Sequence, residues 1–253
     1  MKKLTVICKN CNNQLEGNFC SNCGQNSNVG KIDFKYVIND IPDSIFQVNS
    51  GLFFTVKELF LRPGKSIREF IIGKRKRFFK PIAYVLLIST LYALLSMLVE
   101  QGTVLGEVVR GMSQAFKTDD KYTSVTKLFD WIINNHAYST IILLPFLSLA
   151  SYLAFFKCKF NYFEHFILNA YITAQQALIY SFFVIIQFTV KSESYFLQYV
   201  PLSLAFTFGL WAFLQFFNNE KKLKVVLLYL LTYFIYFILI SLLILSLIII
   251  SSI

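Results

Sequence analysis

The chain has 253 residues, of which 56% are apolar and only 15% charged, against roughly 25% charged in an average soluble domain. Mean hydropathy is +0.56 and Phe alone occurs 28 times, more apolar side chain than a soluble core of this size hides, so the composition excludes an ordinary soluble domain and points to lipid as solvent. The formal charge of +10 does not imply nucleic acid: residues 1–80 hold 14 Lys/Arg against 6 Asp/Glu and so carry +8 of it, the pattern of a cytoplasmic flank before a first spanning segment.

Residues 1–30 read as a zinc ribbon. Cys8, Cys11, Cys20 and Cys23 stand as C-x2-C-x8-C-x2-C. Each C-x-x-C folds as a knuckle that aims two thiolates at one ion, and two knuckles complete a tetrahedral S4 shell suited to zinc. Gly24 follows the last cysteine, where a knuckle turn needs φ > 0. Two disulfides are the alternative, and they need an oxidising compartment that the charge pattern argues against. The segment is too small to hold a core without metal. Lys2, Lys3 and Lys9 roughly offset the negative charge of a loaded site, and no aromatic-and-basic stripe suited to single strands is present, so nucleic acid is not an expected partner. The N-terminus has no apolar signal-peptide core, which leaves insertion to the first spanning helix.

Residues 31–80 read as an amphipathic, basic juxtamembrane region. Phe34, Val37, Ile38, Ile41 and Ile45 keep helical spacing until Pro42 kinks or ends the run. Leu52, Phe53, Val56, Leu59 and Phe60 form a second apolar face, broken at Arg62-Pro63-Gly64. Ser66 and Glu69 have capping-box spacing, which places the start of a further helix there. The basic run Lys74-Arg75-Lys76-Arg77, with Arg68, suits the anionic lipid headgroups of an inner leaflet or an acidic partner. In-plane helices on the membrane surface are the expected arrangement.

The stretch from Arg62-Pro63-Gly64 through Ile67-Arg68, Phe70-Ile71 and Gly73-Lys74-Arg75 to Lys80-Pro81 resembles the hallmark of a bacterial membrane family of unknown function. Members of that family carry an N-terminal zinc ribbon and a PG-x-x-I-R-x-(F/Y)-I-x-G-x-R box before the first transmembrane helix. Tyr162-Phe163-Glu164-His165 is similar to a further patch of it. The resemblance implies an architecture and no activity.

Residues 81–253 read as a transmembrane helical bundle with five spans, at about 81–99, 137–156, 166–190, 196–217 and 225–250, each long enough for a bilayer core of about 30 Å. Lys/Arg are dense in the leading segment and in loops 157–165 and 218–224, and sparse in 100–136 and 191–195. This places the N-terminus in the cytoplasm, the C-terminus outside and the protein in a bacterial inner membrane. In the long outer loop, Val125, Leu128, Phe129, Ile132 and Ile133 suggest an interfacial helix with Trp131 at its edge.

No nucleotide-binding, metalloprotease or serine-hydrolase motif is present. Polar residues do line up within the bundle. His165, Asn169, Thr173, Gln176 and Tyr180 share one face of the third span, with Glu164 beside His165 at its start and Gln187 beyond. Ser203, Thr207, Trp211 and Gln215 share a face of the fourth, and the two faces could meet. Helix-to-helix adhesion is the plain reading, and a polar pocket is the functional one. His136 caps the second span or meets water, and Cys158 reads as an ordinary thiol. The whole is an all-α integral membrane protein with a ribbon. Its expected role is regulatory or scaffolding, with the ribbon binding a cytoplasmic partner. A transporter of a small solute or lipid, and an intramembrane enzyme using Glu164 and His165, are the alternatives.

Overall fold

The computed structural model describes residues 6–15, 17–37, 51–97, 111, 127, 129–132, 135–190 and 195–251. The expected helix beyond Val37, most of the outer-loop helix and the turn at 191–194 lie outside these residues, as does the side chain of His136.

The ribbon is two similar hairpin turns twelve residues apart. Strand β1 (Val6–Ile7) pairs antiparallel with β2 (Gln14–Leu15), Val6 opposite Leu15. Between them Cys8 N–H donates to Asn13 O at 2.8 Å and Asn12 N–H to Cys8 O at 2.9 Å. The second turn repeats the pattern: Cys20 N–H to Gln25 O and Gly24 N–H to Cys20 O, both 2.8 Å. The residue after the second cysteine of each knuckle is left-handed, Asn12 at φ 62° and Gly24 at φ 69°. Gly24 meets the expectation for a knuckle, and Asn12 is one of the few other residue types that tolerates this region.

Helices α1 (Gly51–Leu61) and α2 (Pro63–Ile72) follow, separated by Arg62 alone. Pro63 occupies the first turn of α2, where its missing N–H costs nothing. The expected Ser66–Glu69 capping box is therefore corrected: both residues lie inside α2. Ser66 Oγ donates instead to the Glu58 carbonyl at 3.3 Å, and Glu69 pairs with Arg62 at 2.9 Å. An early Pro outweighs a Ser three residues later as a start signal. The helix ends at Gly73, φ 127°, whose N–H bonds Glu69 O and Phe70 O, while Lys74 N–H also reaches Glu69 O. This termination needs a residue free of Cβ strain.

Among the described residues, four helices are long and apolar enough to cross a membrane: α4 (His136–Ala154), α5 (Tyr162–Val190), α6 (Tyr195–Phe216) and α7 (Lys222–Ser251). The chain is an all-α, multi-pass membrane protein with an N-terminal cysteine cluster. Helix α3 (Pro81–Met97) is apolar but covers only 17 described residues. Helix α5 is the hub, packed by α3, α4 and α6 and more lightly by α1 and α2. It starts four residues before the expected 166 because Asn161 and Glu164 cap it reciprocally: Glu164 N–H to Asn161 Oδ1 at 2.9 Å, Asn161 N–H to Glu164 Oε2 at 2.8 Å.

Helix α2 packs into the bundle. Pro63, Gly64, Ser66, Ile67, Phe70 and Ile71 are buried, and α2 lies across α6 with its end against α5. A Cβ on Gly64 would stand 2.3 Å from both Ala212 O and Phe216 N, so only glycine allows this approach of backbone to backbone. Burial of Ile67 and Phe70 stabilises the contact by about 1.5–3 kcal/mol each. Helix α1 buries Thr55 and Leu59 and leaves Phe53, Phe60 and Leu61 exposed.

Candidate metal centre and the polar interior

The two knuckles bring all four sulfurs within 4.8 Å of one another. Cys8 Sγ lies 3.6 Å from Cys23 Sγ, and Cys11 Sγ 3.5 Å from Cys20 Sγ. An S4 tetrahedron with metal–sulfur bonds of about 2.3 Å has edges of about 3.8 Å, so the thiols are already spaced for a single ion. All four are free thiols, and among the described residues they are the group of His, Cys and acidic side chains that fits a metal.

The electrostatics of the cluster explain why it needs a cation. Burial works against the Cys23 thiolate, but the Gln25 amide, the Asn10 side chain and the neighbouring Cys11 and Cys8 outweigh it and bring the group down to about 6. The backbone amide of Cys23 is the main influence on Cys20, which also lies below the usual thiol range. The Asn13 amide favours the Cys11 thiolate, yet burial and the three adjacent sulfurs prevail and push it up to about 11. Four sulfurs in contact cannot all ionise unaided, and a bound divalent cation removes that conflict.

The ribbon rests on the turn between α2 and α3. The buried Gln25 side chain donates from Nε2 to Gly73 O at 2.9 Å, and its Oε1 accepts from Arg75 N–H at 3.1 Å and Lys76 N–H at 3.2 Å. Arg75 donates to Gly30 O at 2.8 Å and to Phe70 O at 3.3 Å, with its guanidinium 4.4 Å from the Tyr36 ring centroid. Asn161 Nδ2 holds Ile32 O at 3.0 Å, and Ile32 is fully buried. Thr55 Oγ1 accepts from Phe79 N–H at 2.7 Å, and Tyr171 OH donates to Phe79 O at 2.7 Å. The box is thus a junction between ribbon, α1, α2 and α5.

This placement sorts the basic residues expected to bind headgroups or a partner. Arg75 is engaged within the protein. Arg68 bonds Asn218 and lies 5.8 Å from the Phe160 ring centroid. Lys74 reaches Glu69 at 3.7 Å. Lys76 and Arg77 are exposed.

Inside the bundle the expected polar face of α5 divides. His165 and Asn169 join Ser151 of α4: Ser151 Oγ lies 3.0 Å from His165 Nδ1 and accepts from Asn169 Nδ2 at 2.8 Å. Ser151 donates to Ser148 O at 3.0 Å, so its proton is unavailable to the ring. His165 is 0% exposed and Nε2 has no partner among the described residues, walled by Tyr152, Phe155 and Phe217. Gln176 Nε2 donates to Ala205 O at 2.9 Å, Tyr180 lies tilted against Tyr92 with ring centroids 5.6 Å apart, and Thr173 is half-buried. Glu164 is absorbed by the cap of α5 rather than facing a pocket.

This face touches α6 through Gln176 and the Ala205 carbonyl, but the hydroxyls of the α6 stripe do not join it. Ser203 and Thr207 are exposed and bond carbonyls of their own helix, Thr207 to Ser203 O at 2.9 Å. Trp211 is also exposed. Hydroxyls on a membrane helix satisfy themselves on the preceding turn, so their alignment does not require a partner face. Besides Gln25, a residue that the sequence did not single out is Gln175, 0% exposed. Its Oε1 accepts from Tyr84 OH at 2.5 Å and its Nε2 donates to Val56 O at 3.2 Å, which joins α5 to α3 and α1. Cys158 Sγ sits 3.7 Å from Glu220 Oε1. Burial and the Glu220 carboxylate hold this thiol above its ordinary range, as befits an unreactive cysteine.

Compared with known families, residues 49–93 match the model described as Protein of unknown function (DUF3667). The matched segment runs from α1 through the turn at 73–80 into α3 and leaves the ribbon outside it. No curated protein and no solved structure matches the chain.

Proposed function

We propose that this protein is a membrane-anchored scaffold or regulator whose zinc-loaded ribbon receives a cytoplasmic protein partner. The observation that carries this reading is the presentation of the ribbon. One side is fixed to the bundle through Gln25, while Ile7 and Phe19 on the knuckles stand 59% and 63% exposed. A ribbon fixed in orientation, with two apolar side chains uncovered, suits recognition of another protein. Zinc is the ion that fits four thiolates at this spacing. The basic flank favours a cytoplasmic N-terminus, an inner-membrane location and an outside C-terminus. Helix α3 acts as a fifth span, and the exposed Phe53, Phe60 and Leu61 of α1 lie toward the acyl boundary, with Lys76 and Arg77 near anionic headgroups.

The transporter and enzyme readings have less support. Asn169 and Gln176 are taken up by protein partners, Glu164 by the helix cap and His165 Nδ1 by Ser151, which is what adhesion between helices asks of them. The test is affinity purification in mild detergent, with wild type beside Ile7→Ser, Phe19→Ser and Cys20→Ser, Cys23→Ser double variants and bound proteins identified by mass spectrometry. A partner held by wild type and lost from both equally abundant variants supports the scaffold. A chain that recovers the same proteins with or without the ribbon faces overturns it.

A further inference from the structure

Gln25 belongs to two structures at once. Its carbonyl accepts from Cys20 N–H at 2.8 Å and its amide faces the Cys23 sulfur, so its backbone is part of the second knuckle. Its side chain makes three hydrogen bonds to the turn after α2, at Gly73, Arg75 and Lys76. The first knuckle touches the same turn: a Cβ on Gly73 would lie 2.8 Å from Lys9 Cδ and 3.2 Å from Val29 Cγ1. Lys9 Nζ in turn donates to Val29 O at 3.0 Å. Lys76 runs alongside Gly24, its Cε and Nζ 3.6 and 3.8 Å from where a Cβ would stand.

Two physical consequences follow from loading this site. A segment this short has no core of its own, so the shape that aims Gln25 depends on the ion. Four thiolates on a divalent cation also carry about −2 of charge, and Lys9 and Lys76 flank them. The loaded ribbon is therefore held in the shape that meets the turn, with its charge facing Lys9 and Lys76, and the unloaded ribbon lacks that fixed shape. We propose that metal occupancy latches the turn at residues 73–76: the loaded ribbon clamps it through Gln25, and loss of the ion releases it. The latch rests on the metal reading of the four thiols and does not depend on whether the ribbon recruits a partner.

The test is hydrogen exchange on the full chain in detergent, read at the amides of Arg75 and Lys76, with zinc content measured on the same samples. Amides in α5, at 166–177, serve as the folding control. Three samples are compared: wild type loaded, wild type stripped with chelator, and Gln25→Ala loaded. Stripping should speed exchange at Lys76, whose amide bonds Gln25 Oε1, by about tenfold or more, and less at Arg75, whose amide also reaches Gly73 O at 3.0 Å, with α5 unchanged. Gln25→Ala should keep its zinc yet show the same acceleration, and chelation should then add little. If stripping empties the site and exchange at 75–76 does not change, the latch is wrong while the metal reading stands. If wild type carries no metal at all, both fall together.

Discussion

The side-chain amide of Gln25 donates to the backbone carbonyl of Gly73 at 2.9 Å, across 48 residues of sequence. With the bonds from Arg75 and Lys76 N–H to the same side chain, it ties the cysteine cluster to the segment that the family model covers, and it gives Gly73 a second role. The left-handed residue that ends α2 also turns its carbonyl toward the ribbon.

Gly64→Ala should be among the most destabilising small substitutions in the chain. The added methyl would stand 2.3 Å from backbone atoms of both Ala212 and Phe216, and backbone on both sides leaves it little room to yield. Overpacking of this kind costs about 1–3 kcal/mol. The check is apparent melting temperature in detergent, expected to fall by several degrees, with reduced yield of folded protein.

Gln175→Leu should destabilise more than Thr207→Val. Removing the Gln175 amide strands the Tyr84 hydroxyl in the interior, at about 1–3 kcal/mol for a buried group left unpaired, and takes away the link to Val56 O. Thr207 is exposed and bonds only its own helix, so its replacement should be near neutral. Thermal unfolding of the two variants side by side decides this, and equal melting temperatures would count against the assigned role of Gln175.

The cap of α5 separates a structural from a chemical role for Glu164. Glu164→Gln keeps a hydrogen-bond acceptor for Asn161 N–H and should leave stability nearly unchanged, whereas Asn161→Ala should cost about 1 kcal/mol through loss of the N-cap. Paired unfolding curves would show it.

Metal uptake should release protons, and more of them as pH falls. At pH 8 the Cys11 thiol, pushed up to about 11, is still protonated, while Cys23, drawn down to about 6, is already ionised. Below pH 6 Cys23 also carries its proton and must give it up on binding. Affinity therefore weakens as pH drops through 6. Proton release in weakly buffered solution at pH 8 and pH 5.5 measures the difference.

Much of this architecture was legible in the sequence, and the misses have physical reasons. Cysteine spacing announced the metal cluster because two knuckles on one ion leave few other arrangements. Apolar blocks announced the four long helices because a bilayer sets their length. Ser66–Glu69 misled because a capping box is a local pattern and Pro63 three residues earlier starts the helix. The polar stripe on α6 misled because hydroxyls that bond their own helix have the same periodicity as hydroxyls that face a neighbour. Gln175 and Gln25 were invisible, since nothing local distinguishes a buried glutamine that joins distant segments from one on a surface. The basic run read as uniform, yet Arg75 is folded inward against Tyr36 while Lys76 and Arg77 stay exposed.

The measurement that tests the account most directly is the metal content of the full chain purified in detergent without added metal. About one zinc per chain is expected for wild type and none for the Cys20→Ser, Cys23→Ser variant, with the bundle of that variant recovered at similar yield. A well-folded wild-type chain free of zinc, or one whose four ribbon cysteines are joined as disulfides, would contradict it.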